Sequence, residues 1–132
     1  MNLANCNATQ KYAPLVGRVL LSLIFIIAGW NKIGGFEGTA GYMASKGLPL
    51  PEVLLVLTII IELGGGLLLL LGLQARWAAL AIFLFLIPVT VIFHPFWSNP
   101  DEFNAFFKNL AIMGGMLYVV AHGPGCCSLG KS

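Results

Sequence analysis

Residues 53–73 read VLLVLTIIIELGGGLLLLLGL, a run of apolar residues broken by one acid, Glu62, near its centre. About twenty such residues in a helix cross the roughly 30 Å hydrocarbon core of a bilayer. An ionisable side chain at mid-depth costs about 3 kcal/mol even on lenient insertion scales, so a carboxyl group there is protonated, paired or turned to a polar cavity. At helical spacing Thr58, Gly65, Gly66 and Leu69 share the face of Glu62, and the run Gly64-Gly65-Gly66 lets a second helix come close. The stretch is therefore expected to be a transmembrane helix whose Glu62 face meets other helices.

The composition supports the same conclusion for the whole chain. Of its 132 residues 58% are hydrophobic and 9% charged, against about one quarter charged in soluble domains. So few charges cannot solvate a globule, whereas four spanning helices with short loops would use nearly all of the chain. The expected fold is an all-α integral membrane protein, a bundle of four transmembrane helices. It forms a single domain over residues 1–132, with helices at about 14–33, 52–72, 76–94 and 104–122. The bilayer is its main partner. A net charge of +2 without basic runs gives no footing for nucleic acid. The first apolar run carries Arg18 and no small-residue cleavage site, so it is not expected to be a cleaved signal peptide.

Helical periodicity assigns a polar face to each span. On the first, Arg18, Ser22, Phe25, Gly29 and Lys32 align; on the third, Arg76, Leu80, Phe83, Ile87, Thr90 and His94; on the fourth, Lys108, Ala111, Gly115, Tyr118 and His122. Pro88 should kink the third span. The glycine- and proline-rich linker 34–51 is long enough for a short amphipathic helix around residues 39–45. The residues Gln74, Ala75 and Arg76 join the second and third spans too tightly for anything but an antiparallel hairpin. Cys6, Cys126 and Cys127 form no CxxC or Cys/His ligand spacing, so they are read as unpaired thiols and no metal site is expected. Lysine and arginine number four on the side of the termini (Lys11, Arg18, Arg76, Lys131) and three on the other (Lys32, Lys46, Lys108), which favours cytoplasmic termini. Arg18 and Arg76 lie toward that inner end, where long side chains reach headgroups.

At 1.5 Å per residue, Lys32 and His94 come at the outer ends of their helices, Lys108 a turn inside, and Glu62 roughly 15 Å below the start of its own. These four converge on one half of the bundle. They suggest a buried pocket that holds a ligand or a proton, with Arg18 as a further candidate and with Trp30, Asn31, Phe96 and Trp97 as walls. Most have a simpler role open to them: Lys32 and Lys108 can snorkel, His94 can satisfy a helix end, and Trp97 can anchor at the interface. Glu62 reaches neither surface and stands apart.

The motifs Arg18-Val-Leu-Leu and Gly29-Trp-Asn-Lys32, the single Glu62 before a glycine run, His94-Pro-Phe-Trp, and Phe107-Lys-Asn-Leu110 occur in this order along nearly the whole chain. Together they resemble the DoxX family of small four-helix bacterial membrane proteins. The resemblance implies a multi-pass protein of the bacterial inner (plasma) membrane, in a family that includes the membrane subunit of thiosulfate:quinone oxidoreductase. It implies a redox-associated subunit that binds a quinone or a small sulfur species, with any electron donor supplied by a partner protein. The chain itself carries no haem, iron–sulfur or nucleotide-binding signature. The alternative is a non-enzymatic scaffold or small-solute carrier component, working as a homo-oligomer through its glycine faces. The Cys126-Cys127 pair has no counterpart in the family pattern. Thiol exchange with Cys6, or a soft metal, is a third and weaker option.

Overall fold

The computed structural model describes residues 7–126 and 128–130. Helix α1 is Ala8–Gly34, α2 Phe36–Ser45, α3 Pro51–Leu71, α4 Ala75–Phe93 and α5 Phe103–His122, the last preceded by a 3₁₀ turn Pro100–Glu102. All but α2 belong to the four segments long and apolar enough to cross a membrane. The first helix starts earlier than the hydrophobicity suggests. Asn7 accepts from the Gln10 amide at 2.8 Å while the Gln10 side chain accepts from the Asn7 amide at 3.2 Å, a reciprocal cap that nucleates the helix ahead of Pro14.

The spans meet through a core to which all four contribute: Phe25 from α1, Leu69 from α3, Ala79, Ile82 and Leu86 from α4, Met116 and Val119 from α5. On α1 the buried residues Arg18, Ser22, Phe25 and Gly29 are those of the expected face. Helices α4 and α5 are rotated from expectation. Helix α4 buries Ala75, Ala78, Ala79, Ile82, Leu86 and Thr90, leaving Arg76 and Ile87 exposed. Helix α5 buries Asn109, Met116 and Val119, and Tyr118 is 73% exposed. The physical reason is that close packing in lipid favours faces where backbones can approach, and alanines with one Thr–Asn contact provide this better than a stripe of charges. Asn109 donates to the Thr90 hydroxyl at 3.1 Å, fully inside the α4–α5 contact.

Helices α1 and α3 approach most closely at glycines. A Cβ on Gly29 would lie 2.7 Å from Leu63 Cγ and one on Gly66 2.9 Å from Ile26 Cγ1, while Gly65 faces Ile82 of α4. The glycine run thus serves two neighbours with adjacent residues. Helix α3 also widens into a π turn at Ile60–Gly64, around Glu62.

At the end where the termini lie, Gly72 closes α3 with a positive φ of 74°. The Leu73 amide donates to Leu68 O at 2.9 Å and the Gly72 amide to Leu69 O at 3.2 Å, the Schellman pattern. Arg18 Nη1 donates to Leu69 O at 3.1 Å and Leu70 O at 3.0 Å, and the Leu129 amide to Leu71 O at 3.0 Å. Every carbonyl of the last turn is satisfied, as a helix end near hydrocarbon requires. Arg18 is 2% exposed, so it does not reach for headgroups; its charge sits on the negative end of α3. The tail past Gly123 is folded back here, with Gly125 against Pro14. Cys126 is disulfide-bonded, which corrects the expectation of free thiols: the returning tail holds it against the bundle end. Cys6 and Cys127 lie outside the described residues, as does Lys131.

Replacing Gly29 by Ala should lower the detergent melting temperature by the equivalent of about 1–3 kcal/mol, since the new methyl meets both the side chain and backbone of Leu63. Gly17→Ala, which meets nothing within 4 Å on the same helix, should leave it unchanged or raise it by helix propensity of up to about 1 kcal/mol. Equal effects at the two positions would contradict the close α1–α3 approach.

Candidate functional site

The glycine contact sets α1 and α3 in antiparallel register, and one turn beyond it Lys32 Nζ meets Glu62 Oε1 at 2.8 Å. Glu62 is buried, at 8% side-chain exposure, and Lys32 is partly exposed at 28%. Glu62 lies eleven residues into α3, about 16 Å from its start at the helical rise. Lys32 lies in the last turn of α1, as expected, and the ion pair ties that turn to the middle of α3. The chain does not leave the bundle at Gly34: it turns into α2, which packs Ala40 and Met43 against Leu55 on the first turns of α3. Helix α2 caps the outer end, with Tyr42 stacked on Phe93 of α4 at 5.6 Å between ring centroids.

Under this cap lies a cavity of about 220 Å³. Its polar lining comes from Lys32, Glu62 and His94 with the hydroxyl residues Thr39, Tyr42 and Thr58; its apolar lining comes from Met43, Phe85, Val89 and Phe93. Thr58 donates to Leu54 O at 2.9 Å, so toward the cavity its oxygen is an acceptor. At the rim, His94 ends α4 and its Nδ1 lies 2.6 Å from Glu102 Oε2. The ring nitrogen and the carboxylate share one proton position, and both side chains are 28% exposed.

Of the candidates named from sequence, Lys32, Glu62 and His94 line this cavity together. Lys108 does not: it is exposed on α5, and its neighbour Asn109 takes the inward position. One residue is 100° on a helix, and that rotation turns the lysine out. Arg18 belongs to the opposite end, as the cap of α3. Trp30, at 70% exposed, and Asn31 face away from the bundle. Phe96 and Trp97 build a separate aromatic cluster with Phe103, Phe106 and Phe107, whose Phe96–Phe106 centroids are 4.8 Å apart. That cluster fastens the loop after His94 to the start of α5. The walls of the cavity are instead supplied by α2 and α4. Thr39, Tyr42 and Met43 recur at intervals of three and four in the linker, which is the one signal that could have marked α2 as a wall. Nothing local marks Glu102 as the partner of His94.

The arrangement brings a carboxyl group, an amine and an imidazole into one cavity with aromatic and aliphatic side chains. Among the described residues no three His, Cys, Asp or Glu side chains are placed to hold a metal ion.

Fold and site together define a small four-span membrane protein with an intramembrane ion pair at the floor of a capped cavity. The DoxX family model matches residues 13–95, and the chain belongs to that family. It is 39% identical over 122 residues to inner membrane protein YqjF of Escherichia coli, covering 92% of each chain. It is 35% identical over 130 residues to inner membrane protein YphA of the same organism, covering 94% of this chain and 92% of the relative. The putative oxidoreductase CatD of Bacillus subtilis is 32% identical over 98 residues, 72% of each chain. No solved structure matches the chain.

Removing one member of a buried pair strands the other. Lys32→Met should therefore cost about 3–5 kcal/mol of stability, and the double variant Lys32→Met/Glu62→Gln should recover most of it. Thermal unfolding of the wild type, both single variants and the double variant checks this. Additive single effects would mean that the two groups do not interact.

Proposed function

We propose that this DoxX-family protein is a redox-associated subunit of the bacterial inner membrane, which holds a quinone headgroup or a small sulfur species in the cavity above Glu62. One observation carries the proposal: the Lys32–Glu62 pair lines a hollow together with aromatic and aliphatic side chains, a mixed lining that suits a guest with both polar and apolar parts. Lys32 would donate to a quinone carbonyl as negative charge develops on it, and Glu62 would supply or take the accompanying proton. The inner-membrane setting is supported by the names of the two Escherichia coli relatives, and the redox setting by that of the Bacillus subtilis one. With no electron-carrier motif in the sequence, electrons would come from a partner protein or a soluble reductant. Protein purified in mild detergent should yield quinone on solvent extraction and mass spectrometry. Glu62→Gln should remain folded and lose it. A quinone-free wild type, also silent to added sulfur oxyanions in calorimetry, would leave the scaffold or carrier alternative.

Orientation belongs to the same proposal. With Arg18 and Lys32 both engaged inside the bundle, the lysines and arginines left to bias insertion are Lys11, Arg76 and Lys131 on one side and Lys46 and Lys108 on the other. Three against two favours cytoplasmic termini. The disulfide at Cys126 pulls the other way, because such bonds persist in oxidising compartments. Charge acts while the chain inserts, before a disulfide can form, so we infer cytoplasmic termini. A C-terminal fluorescent protein fusion should then be bright and an alkaline phosphatase fusion inactive; the reverse pattern inverts the topology.

A further inference from the structure

We propose that the rim of the cavity is a proton entry, in which the His94–Glu102 pair takes protons from the membrane surface and releases them along the cavity to Glu62. This rests on the cavity being the functional site but not on what fills it.

Four features on different elements carry it. His94 is the residue that joins surface to interior: it lines the cavity, and its Nδ1 touches Glu102 at 2.6 Å. Both partners are partly exposed, at the end of α4 and in the turn before α5, whereas Glu62 is buried. From Phe85, which also lines the cavity, to His94 the α4 backbone rises about 13.5 Å. That distance is too long for direct transfer, but a cavity of about 220 Å³ has room for about seven waters at roughly 30 Å³ each. Thr39, Tyr42 and Thr58 set hydroxyl oxygens along the way. Met43, Phe85, Val89 and Phe93 complete the lining, and water in the cavity is, in this proposal, the file along which the proton moves.

The charged and titratable groups that face this path come from every element around it: Lys32 from α1, Tyr42 from α2, Glu62 from α3, His94 from α4, and Glu102 from the turn before α5. The step balances without any further reactant. The imidazolium of His94 gives a proton to the nearest water, the excess proton passes along the file, and the Glu62 carboxylate takes it, releasing Lys32 from its counter-charge. Neutral His94 is reprotonated from bulk water, and the adjacent Glu102 carboxylate stabilises the imidazolium that forms. Only a proton moves; no bond is made or broken elsewhere. The Lys32–Glu62 pair is the element that changes state, because protonating the carboxylate frees the ammonium to turn to a guest.

The test is the rate at which the Glu62 carboxylate band responds to a pH jump. It is read by time-resolved infrared spectroscopy on the full chain in phosphatidylcholine nanodiscs, with the band identified by its loss in Glu62→Gln. His94→Gln should slow the response at least tenfold and leave its end point unchanged, and Glu102→Gln, which keeps the histidine, should slow it severalfold. Glu102→Gln also guards against a folding defect in the first variant, and the melting temperature of each is measured alongside. Unchanged rates in two folded variants, or a Glu62 band that responds to no pH, would overturn the proposal. Slowed rates in a protein that binds no quinone would leave the proton entry standing and remove the quinone.

Discussion

A carboxylate near the middle of a membrane span needs a counter-charge, and the position of Lys32 supplies it at 2.8 Å. Much of the architecture follows from bringing these two atoms together. The α1 and α3 backbones must approach more closely than side chains normally permit, which explains glycine at residues 29 and 66. The helix around Glu62 widens into a π turn, a device that re-aims one side chain at the cost of local regularity and that recurs at functional sites. The ion pair is not sealed: the ammonium is partly exposed.

The two ends of the bundle treat their polar groups in opposite ways. At the end with the termini, Arg18, the Gly72 turn and the returning tail satisfy each carbonyl of the last turn of α3. The guanidinium there donates through Nη1 to two backbone oxygens of that turn. At the other end Thr39, Tyr42, Thr58, Lys32 and His94 keep polar atoms turned to a hollow. Buried hydrogen-bonding groups that are fully satisfied rigidify a structure, whereas groups that line a cavity have capacity left for a guest or for water. The proposed function draws on the groups at the α2 end.

Helix α2 changes what that end can do. Without it Glu62 and Lys32 would open broadly to the membrane surface, in a dielectric where an ion pair has little strength. With α2 packed on Leu55 and Phe93, the hollow has a roof, and His94 in its lining is paired with Glu102. The DoxX family match and the similarity to inner membrane proteins YqjF and YphA agree with the four spans of the fold.

The sequence alone determined the membrane fold, because about twenty apolar residues per span leave the bilayer as the only solvent. It also singled out Glu62, since a lone acid at mid-depth is costly wherever it is found, and it gave the inward face of α1 through plain 3.6-residue periodicity. It could not choose among faces on α4 and α5. There the periodic stripe of polar residues competed with a stripe of alanines and one asparagine, and close packing favoured the latter. It could not tell that Arg18 and Lys108, alike as cations in helices, would go to a helix terminus and to the outside. Those outcomes depend on the rotation and register of whole helices. The walls of the cavity and the His94–Glu102 contact join segments whose proximity no local pattern encodes. Only the folded bundle, with α2 turned back over its end, decides them.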